Sequence, residues 1–346
     1  KVTDFHLLIR ADGGLGVGIG HIMRCLALAK ELSEFDLKIT FAGKIDEPVR
    51  KIVLARGFDC LPLPGGLGLP EELDCLTPEL ASRGVHCVIT DCYSLSEAYL
   101  TDLRKRVLLL VAIDDLNPYP FPAQMVINGN CYAPALSYTG SYGDATYLLG
   151  LPYLLLQREF RECQAKIINQ EVSRVLVTVG GCDVLNLTPG ILTALDTWKS
   201  GLEIDVVIGP GFTNLAEIQA TAARIQAQVN LHQNISKLSE LMVKADLAVS
   251  AGGTTMYELA ATGTPTITLL QAENQVLAAE TMTLAGACYN LGLGDFPFQK
   301  DLLKILAMVA DPIVRGRMSS KGLSLIDGKG SVRCAQEIVS RLQALR

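Results

Sequence analysis

The sequence predicts an α/β protein made of two doubly wound, parallel-sheet domains. Two observations carry this. Short apolar runs alternate with helical patterns along the whole chain, and 346 residues exceed what one ordinary core organises. A third is that the alternation restarts near residue 172, again with a strand that runs into glycines.

Candidate strands in the first half are 6–10, 37–42, 86–90, 107–113 and 124–128, each a short run of apolar residues. Helical spacing fills the intervals near 21–33, 46–56, 70–82 and 94–105. In the second half "SRVLVTV", "EIDVVIG", "DLAVSA" and "TPTITLL" read as strands. Helical patterns near 187–199, 213–226, 236–244, 254–262 and 274–285 separate and follow them. The segment 150–172, "GLPYLLLQREFRECQAKIINQEVS", is the expected boundary. The expected organisation is therefore residues 1–155, residues 172–328, and a closing helix within 329–346. Two such domains are expected to face each other across a cleft, with ligands at the carboxyl ends of the strands.

Composition narrows the function. Nearly half the residues (49%) are hydrophobic, enough for two cores. A net charge of −6 without a basic tract argues against nucleic-acid binding. No apolar run approaches the roughly 20 residues that span a bilayer, and the first residues lack a signal-peptide layout. Ten cysteines without C-x-x-C spacing read as reduced thiols packed as small hydrophobes. The expectation is a cytoplasmic protein with no membrane insertion.

The chemistry is expected to sit in "GGLGVGIGHIMR", residues 13–24. The glycines fit neither the dinucleotide pattern G-x-G-x-x-G nor a P-loop, and no acidic residue ends the second strand "LKITFA". What the loop offers is His21 at the opening of a helix whose apolar face runs through Ile22, Cys25, Leu26, Ala29 and Leu32. Arg24, three residues on, shares its side. Side-chain-free backbone lets a substrate approach closely. A helix N-terminus also favours the neutral imidazole, a proton acceptor. These are the requirements of a general base. His6, His86 and His232 lie in or beside strand-like patterns and read as structural.

Two later segments, "VTVGGCDVLNLT" and "AVSAGGTTMYELAATG", have strand–Gly-Gly–helix form. In the second, the free N–H groups at Gly253 and the hydroxyls of Thr254 and Thr255 form a site for a diphosphate. Glu258, one turn on, is placed to take two ribose hydroxyls. "QAENQ" at 271–275 adds polar groups nearby. Asp114 and Asp115 form the nearest approach to a metal site, but they read as a strand-end cap; no metal and no cofactor is expected.

With these residues in hand, the sequence resembles the PseG/SpsG group of nucleotide-sugar hydrolases, relatives of the GT-B glycosyltransferase MurG. The matching motifs are "IRADGGLGVGIGHIMR", "TDCYSLS", "AIDDL", "VINGN", "GLPYLLLQREF", "VGGCDVLNLT", "SAGGTTMYELAATGTP", "ENQ" and "IDGKG", in family order and spacing. The resemblance implies a GT-B fold, with His21 as catalytic base and Tyr93 and Asn274 in the sugar site. By the same motif matches, Arg10, Asp12, Gly20, Arg24, Asp91 and Gln275 belong to the substrate site. Gly180, Gly181, Gly252, Gly253, Thr254, Thr255 and Glu258 belong to the nucleotide site. Cys92 stands where some members carry histidine, and Gly13 and Gly14 where others carry serine or mixed residues.

The implied reaction is hydrolysis of a UDP-linked diacetamido-trideoxy sugar to UDP and free sugar. In it His21 activates water, and backbone N–H groups and hydroxyls take the leaving diphosphate. A GT-B glycosyltransferase, using an acceptor hydroxyl instead of water, remains the alternative. A non-catalytic nucleotide-sugar binder leaves the glycine-flanked histidine unexplained.

Overall fold

The computed structural model describes residues 5–14, 18–140 and 143–345. The chain divides into two compact units, one running to Gln157 and resuming at Gly328, the other spanning Arg158–Asp327.

In the first unit the elements are β1 (His6–Ala11), α1 (Gly20–Leu32), β2 (Lys38–Gly43), α2 (Glu47–Ala55), β3 (Asp59–Pro62), α3 (Leu69–Ser82), β4 (Val85–Asp91), α4 (Glu97–Arg104), β5 (Leu109–Ile113), β6 (Met125–Asn128) and β7 (Thr146–Leu149). The strands form one parallel sheet in the order β3-β2-β1-β4-β5-β6-β7. The strand order reverses direction between β1 and β4, so their carboxyl ends flank the point where doubly wound sheets bind ligands.

The second unit holds α5 (Glu159–Glu162), β8 (Arg174–Thr178), α6 (Leu187–Trp198), β9 (Glu203–Val207), α7 (Leu215–Ala222), β10 (Gln228–His232), α8 (Leu238–Lys244), β11 (Leu247–Ser250), α9 (Thr254–Ala261), β12 (Thr266–Leu270), α10 (Val276–Leu284), β13 (Tyr289–Leu293), α11 (Gln299–Val309) and α12 (Pro312–Leu325). Its sheet order, β10-β9-β8-β11-β12-β13, is also fully parallel and reverses between β8 and β11. The last helix, α13 (Gly330–Ala344), belongs to the first unit. Its Cys334, Ala335, Ile338 and Leu342 share a core with Ile22, Cys25, Leu26 and Ala29 of α1.

The central strands are apolar because helices cover both faces. β1, β5 and β12 are buried at every position. Sequence patterning missed β3, β7, β10 and β13, and these are the four edge strands. An edge is covered less and keeps polar side chains, so its burial is broken: one of four residues is fully buried in β3 and in β7, and none of five in β10 or β13. The ten cysteines are all free thiols. No helix among the described residues is long and apolar enough to cross a membrane.

Candidate functional site

In the first unit the site grows from the ends of β1, β4 and β5. After β1 the glycine loop turns back on itself, with Gly14 and Gly18 exchanging backbone hydrogen bonds at 3.1 and 2.9 Å. Gly14 has φ +145°, and a Cβ there would press into the carboxylate of Asp46, which caps α2 through the Val49 N–H. Leu15, Gly16 and Val17 of the loop lie outside the described residues. The loop ends at Gly20, which is exposed, and α1 begins there with no side chain capping its N-terminus.

His21 and Arg24 both reach Asp91, the last residue of β4. His21 Nδ1 lies 2.6 Å from Asp91 Oδ1. Arg24 donates Nε to Asp91 Oδ2 and Nη2 to Oδ1, both at 2.6 Å, a bidentate pair. Asp91 is fully buried. Burial would raise its carboxyl, but Arg24 beside it and the bonds from Arg24 and His21 hold it down to about 2. It is therefore an anion at any working pH, and an anion at Nδ1 assigns the ring proton to that nitrogen. His21 Nε2 then carries a lone pair and has no partner among the described residues.

Asp115, after β5, completes the cluster. Its Oδ1 accepts Arg24 Nη1 at 2.9 Å and Asn130 Nδ2 at 2.6 Å, and its Oδ2 accepts the Tyr93 hydroxyl. Tyr93 is 56% exposed, and its ring meets His21 edge-on, with centroids 4.7 Å apart and planes at 84°. Burial opposes ionisation of Asp115, but Arg24 and the Tyr93 hydroxyl hold its carboxyl below the usual range. Burial and Asp115 push the Tyr93 phenol up, so it stays a donor.

Arg10 and Asp12 form a buried ion network of their own. Arg10 is fully buried and pairs with Glu72 of α3 through Nε at 2.8 Å and Nη2 at 3.0 Å, and with Asp12 through Nη1. Asp12 accepts the Lys44 N–H at 2.7 Å and the Cys92 thiol at 3.0 Å. Cys92 stands between Asp91 and Tyr93, so this buried ion network braces the turn that presents both. Asp114 faces the other way: it accepts the Asn117 N–H at 2.7 Å and the Tyr138 hydroxyl at 2.5 Å. The adjacent aspartates thus split, one capping a turn and one entering the site. Sequence patterning assigned a strand-end role to both and left Asp115, Asn130 and Glu72 out of the site. Among the described residues no group of three or more His, Cys, Asp or Glu is placed to hold a metal ion.

In the second unit the two Gly-Gly loops end β8 and β11, the strands that flank its own reversal. They differ in what occupies the following helix end. After Gly180 (φ +97°) and Gly181, the buried Asp183 accepts the N–H groups of Leu187 and Thr188 at 2.8 and 3.0 Å. The protein's own carboxylate fills the N-terminus of α6. At the second loop α9 starts after Gly253 with no side-chain cap, with Thr254 exposed and Thr255 half-buried.

A Cβ at Gly252 would drive into Leu270, and Gln275 Oε1 accepts the N–H groups of Gly252 at 3.4 Å and Gln271 at 3.0 Å. Gln275 therefore shapes the loop. Asn274 beside it is exposed, with no partner among the described residues. Gln271 ties in the first loop by donating to Val179 O and Cys182 O at 2.6 and 2.7 Å. Glu258 is half-buried one turn into α9, and burial together with Glu159 pushes its carboxyl up to about 8. Both effects favour the protonated carboxyl over the carboxylate.

No family model matches the chain. Three proteins are related to it in sequence. It is 28% identical over 279 residues to the uncharacterized protein MJ1062 of Methanocaldococcus jannaschii, covering 78% of this chain but only 56% of that protein. It is 25% identical to the spore coat polysaccharide biosynthesis protein SpsG of Bacillus subtilis, over 95% of this chain and 96% of SpsG. It is 27% identical to the UDP-2,4-diacetamido-2,4,6-trideoxy-beta-L-altropyranose hydrolase of Campylobacter jejuni, over 71% of this chain and 85% of that enzyme. The chain is a relative of the PseG/SpsG group.

In three dimensions it superposes on MurG of Acinetobacter baumannii with a TM-score of 0.71 at 15% identity, covering 99% of this chain and 100% of MurG. With two parallel-sheet α/β units, the fold is GT-B.

Proposed function

We propose that the chain hydrolyses a UDP-linked diacetamido-trideoxy sugar at its anomeric carbon, with His21 as general base. The observation that carries this reading is the 2.6 Å bond between His21 Nδ1 and Asp91, which leaves Nε2 as the proton acceptor. In the proposed step Nε2 takes a proton from water as the water oxygen bonds to the anomeric carbon. The carbon–oxygen bond to the diphosphate breaks, and its electron pair leaves on UDP with inversion. The uncapped N-terminus of α9, with Gly253, Thr254 and Thr255, is proposed to receive the diphosphate. Asn274 and Tyr93 are proposed to contact the sugar. The resting cluster of Asp91, Asp115 and Arg24 carries one net negative charge.

The experiment is acceptor-free turnover of UDP-2,4-diacetamido-2,4,6-trideoxy-β-L-altropyranose in ¹⁸O-water. The expected products are unlabelled UDP and sugar carrying ¹⁸O at the anomeric carbon. The second reading is a GT-B glycosyltransferase, in which an acceptor hydroxyl replaces water on the same fold. It predicts UDP release only once an acceptor hydroxyl is supplied.

A further inference from the structure

We infer that Asp115 is a positioning residue for His21: it fixes the two groups that hold the imidazole from the side, and it supplies the negative charge that a protonated ring needs. The inference rests on the reading of His21 as general base.

The geometry gives Asp115 two connections to the histidine, neither of them direct. Through Oδ2 it tethers the hydroxyl of Tyr93, a residue more than half exposed whose ring packs at right angles to that of His21. Through Oδ1 it holds the far end of Arg24, whose near end grips the same Asp91 that orients the imidazole. Asn130 keeps the carboxylate in place from the loop after β6, and the Tyr132 hydroxyl donates to the Asp115 carbonyl at 3.1 Å.

The charges facing this spot come from each neighbouring element. α1 contributes Arg24 and the neutral Cys25 thiol, β4 and its turn contribute Asp91 and Tyr93, and the end of β5 contributes Asp115. The single guanidinium balances one carboxylate, and the second is matched only when His21 takes a proton. Asp91 orients the ring, while the uncompensated charge is the one Asp115 adds.

The test is the pH profile of UDP release by the full chain from UDP-2,4-diacetamido-2,4,6-trideoxy-β-L-altropyranose, comparing wild type, Asp115→Asn, Asp115→Glu and Tyr93→Phe. Asp115→Asn is expected to lower kcat/KM about 10- to 100-fold and move the acid limb down by about one pH unit, the effect of removing one nearby charge. Asp115→Glu, which keeps the charge but displaces it, is expected to lose rate while its acid limb stays in place. An Asp115→Asn profile that superimposes on wild type after scaling overturns the inference. If Asp115→Asn yields no folded protein, Tyr93→Phe decides: an approximately tenfold fall in kcat is expected, and unchanged kcat overturns it. His21→Ala separates the two levels. Retained turnover removes the general-base reading, whereas a dead His21→Ala beside an unmoved Asp115→Asn profile removes this inference alone.

Discussion

His21 and Asp91 stand 70 positions apart in sequence, and their side chains meet at 2.6 Å. The meeting is a product of topology. α1 follows β1, Asp91 ends β4, and these two strands are neighbours where the sheet order reverses. The bond matters because a buried carboxylate at one ring nitrogen determines which nitrogen is left to accept a proton.

Asp91→Asn keeps the shape and removes that instruction. Its amide can present an N–H to the ring and trap the wrong tautomer, so kcat for UDP release is expected to fall about 10²- to 10⁴-fold with little change in KM. Steady-state kinetics of the folded variant check it. A kcat within threefold of wild type would show that the ring is oriented by something else.

Arg10 is expected to matter for folding rather than for substrate. Replacing it by Met removes the guanidinium between the buried Glu72 and Asp12, with only Lys44 Nζ left 3.9 Å from Glu72, and losses of this kind cost about 3–5 kcal/mol. Urea unfolding measures the loss. At a temperature where the variant is folded, KM should stay within a few-fold of wild type; a large KM increase would place Arg10 against the substrate instead.

The loops around these residues show what a sequence reveals of such a site. Residues at helical spacing on one element, such as His21 and Arg24, were legible because periodicity puts them on one face. The strand ends that carry Asp91, Gly180 and Gly252 were legible too, because central parallel strands are continuous apolar runs. Asp115 was not, because its role depends on Arg24 and Tyr93, which reach it from 91 and 22 positions away. Nor was Glu72, since a carboxylate in a surface-like helical pattern gives no sign that a buried arginine waits beneath it. The four edge strands escaped for the opposite reason: with less cover, they lack the apolar runs that mark a strand.

Glu258 makes the second unit pH-dependent. Its carboxyl sits at about 8 in the folded chain, above the ordinary value of 4.5. Between those values the unfolded chain has released a proton that the folded chain keeps. The folded state therefore loses stability as pH rises from about 4.5 through 8. Glu258→Gln cannot ionise, so its thermal midpoint should rise relative to wild type across that interval and match it most closely near pH 4. Parallel curves for the two proteins would contradict the raised carboxyl.

At the start of α9 Thr255 is half-buried beside an uncapped helix end. Thr255→Val removes one hydrogen-bond donor to an anion, worth about 1.5–3 kcal/mol, so UDP should bind roughly 10- to 100-fold more weakly. Calorimetric titration with UDP checks this, and unchanged affinity would move the diphosphate elsewhere.

The central claim is that His21 removes the proton from the attacking water. It is tested most directly by the single-turnover rate of UDP release from UDP-2,4-diacetamido-2,4,6-trideoxy-β-L-altropyranose, without acceptor, in wild type and His21→Asn. The account predicts a fall of about 10²- to 10⁴-fold with UDP affinity preserved. A variant that still turns over at near the wild-type rate would contradict it.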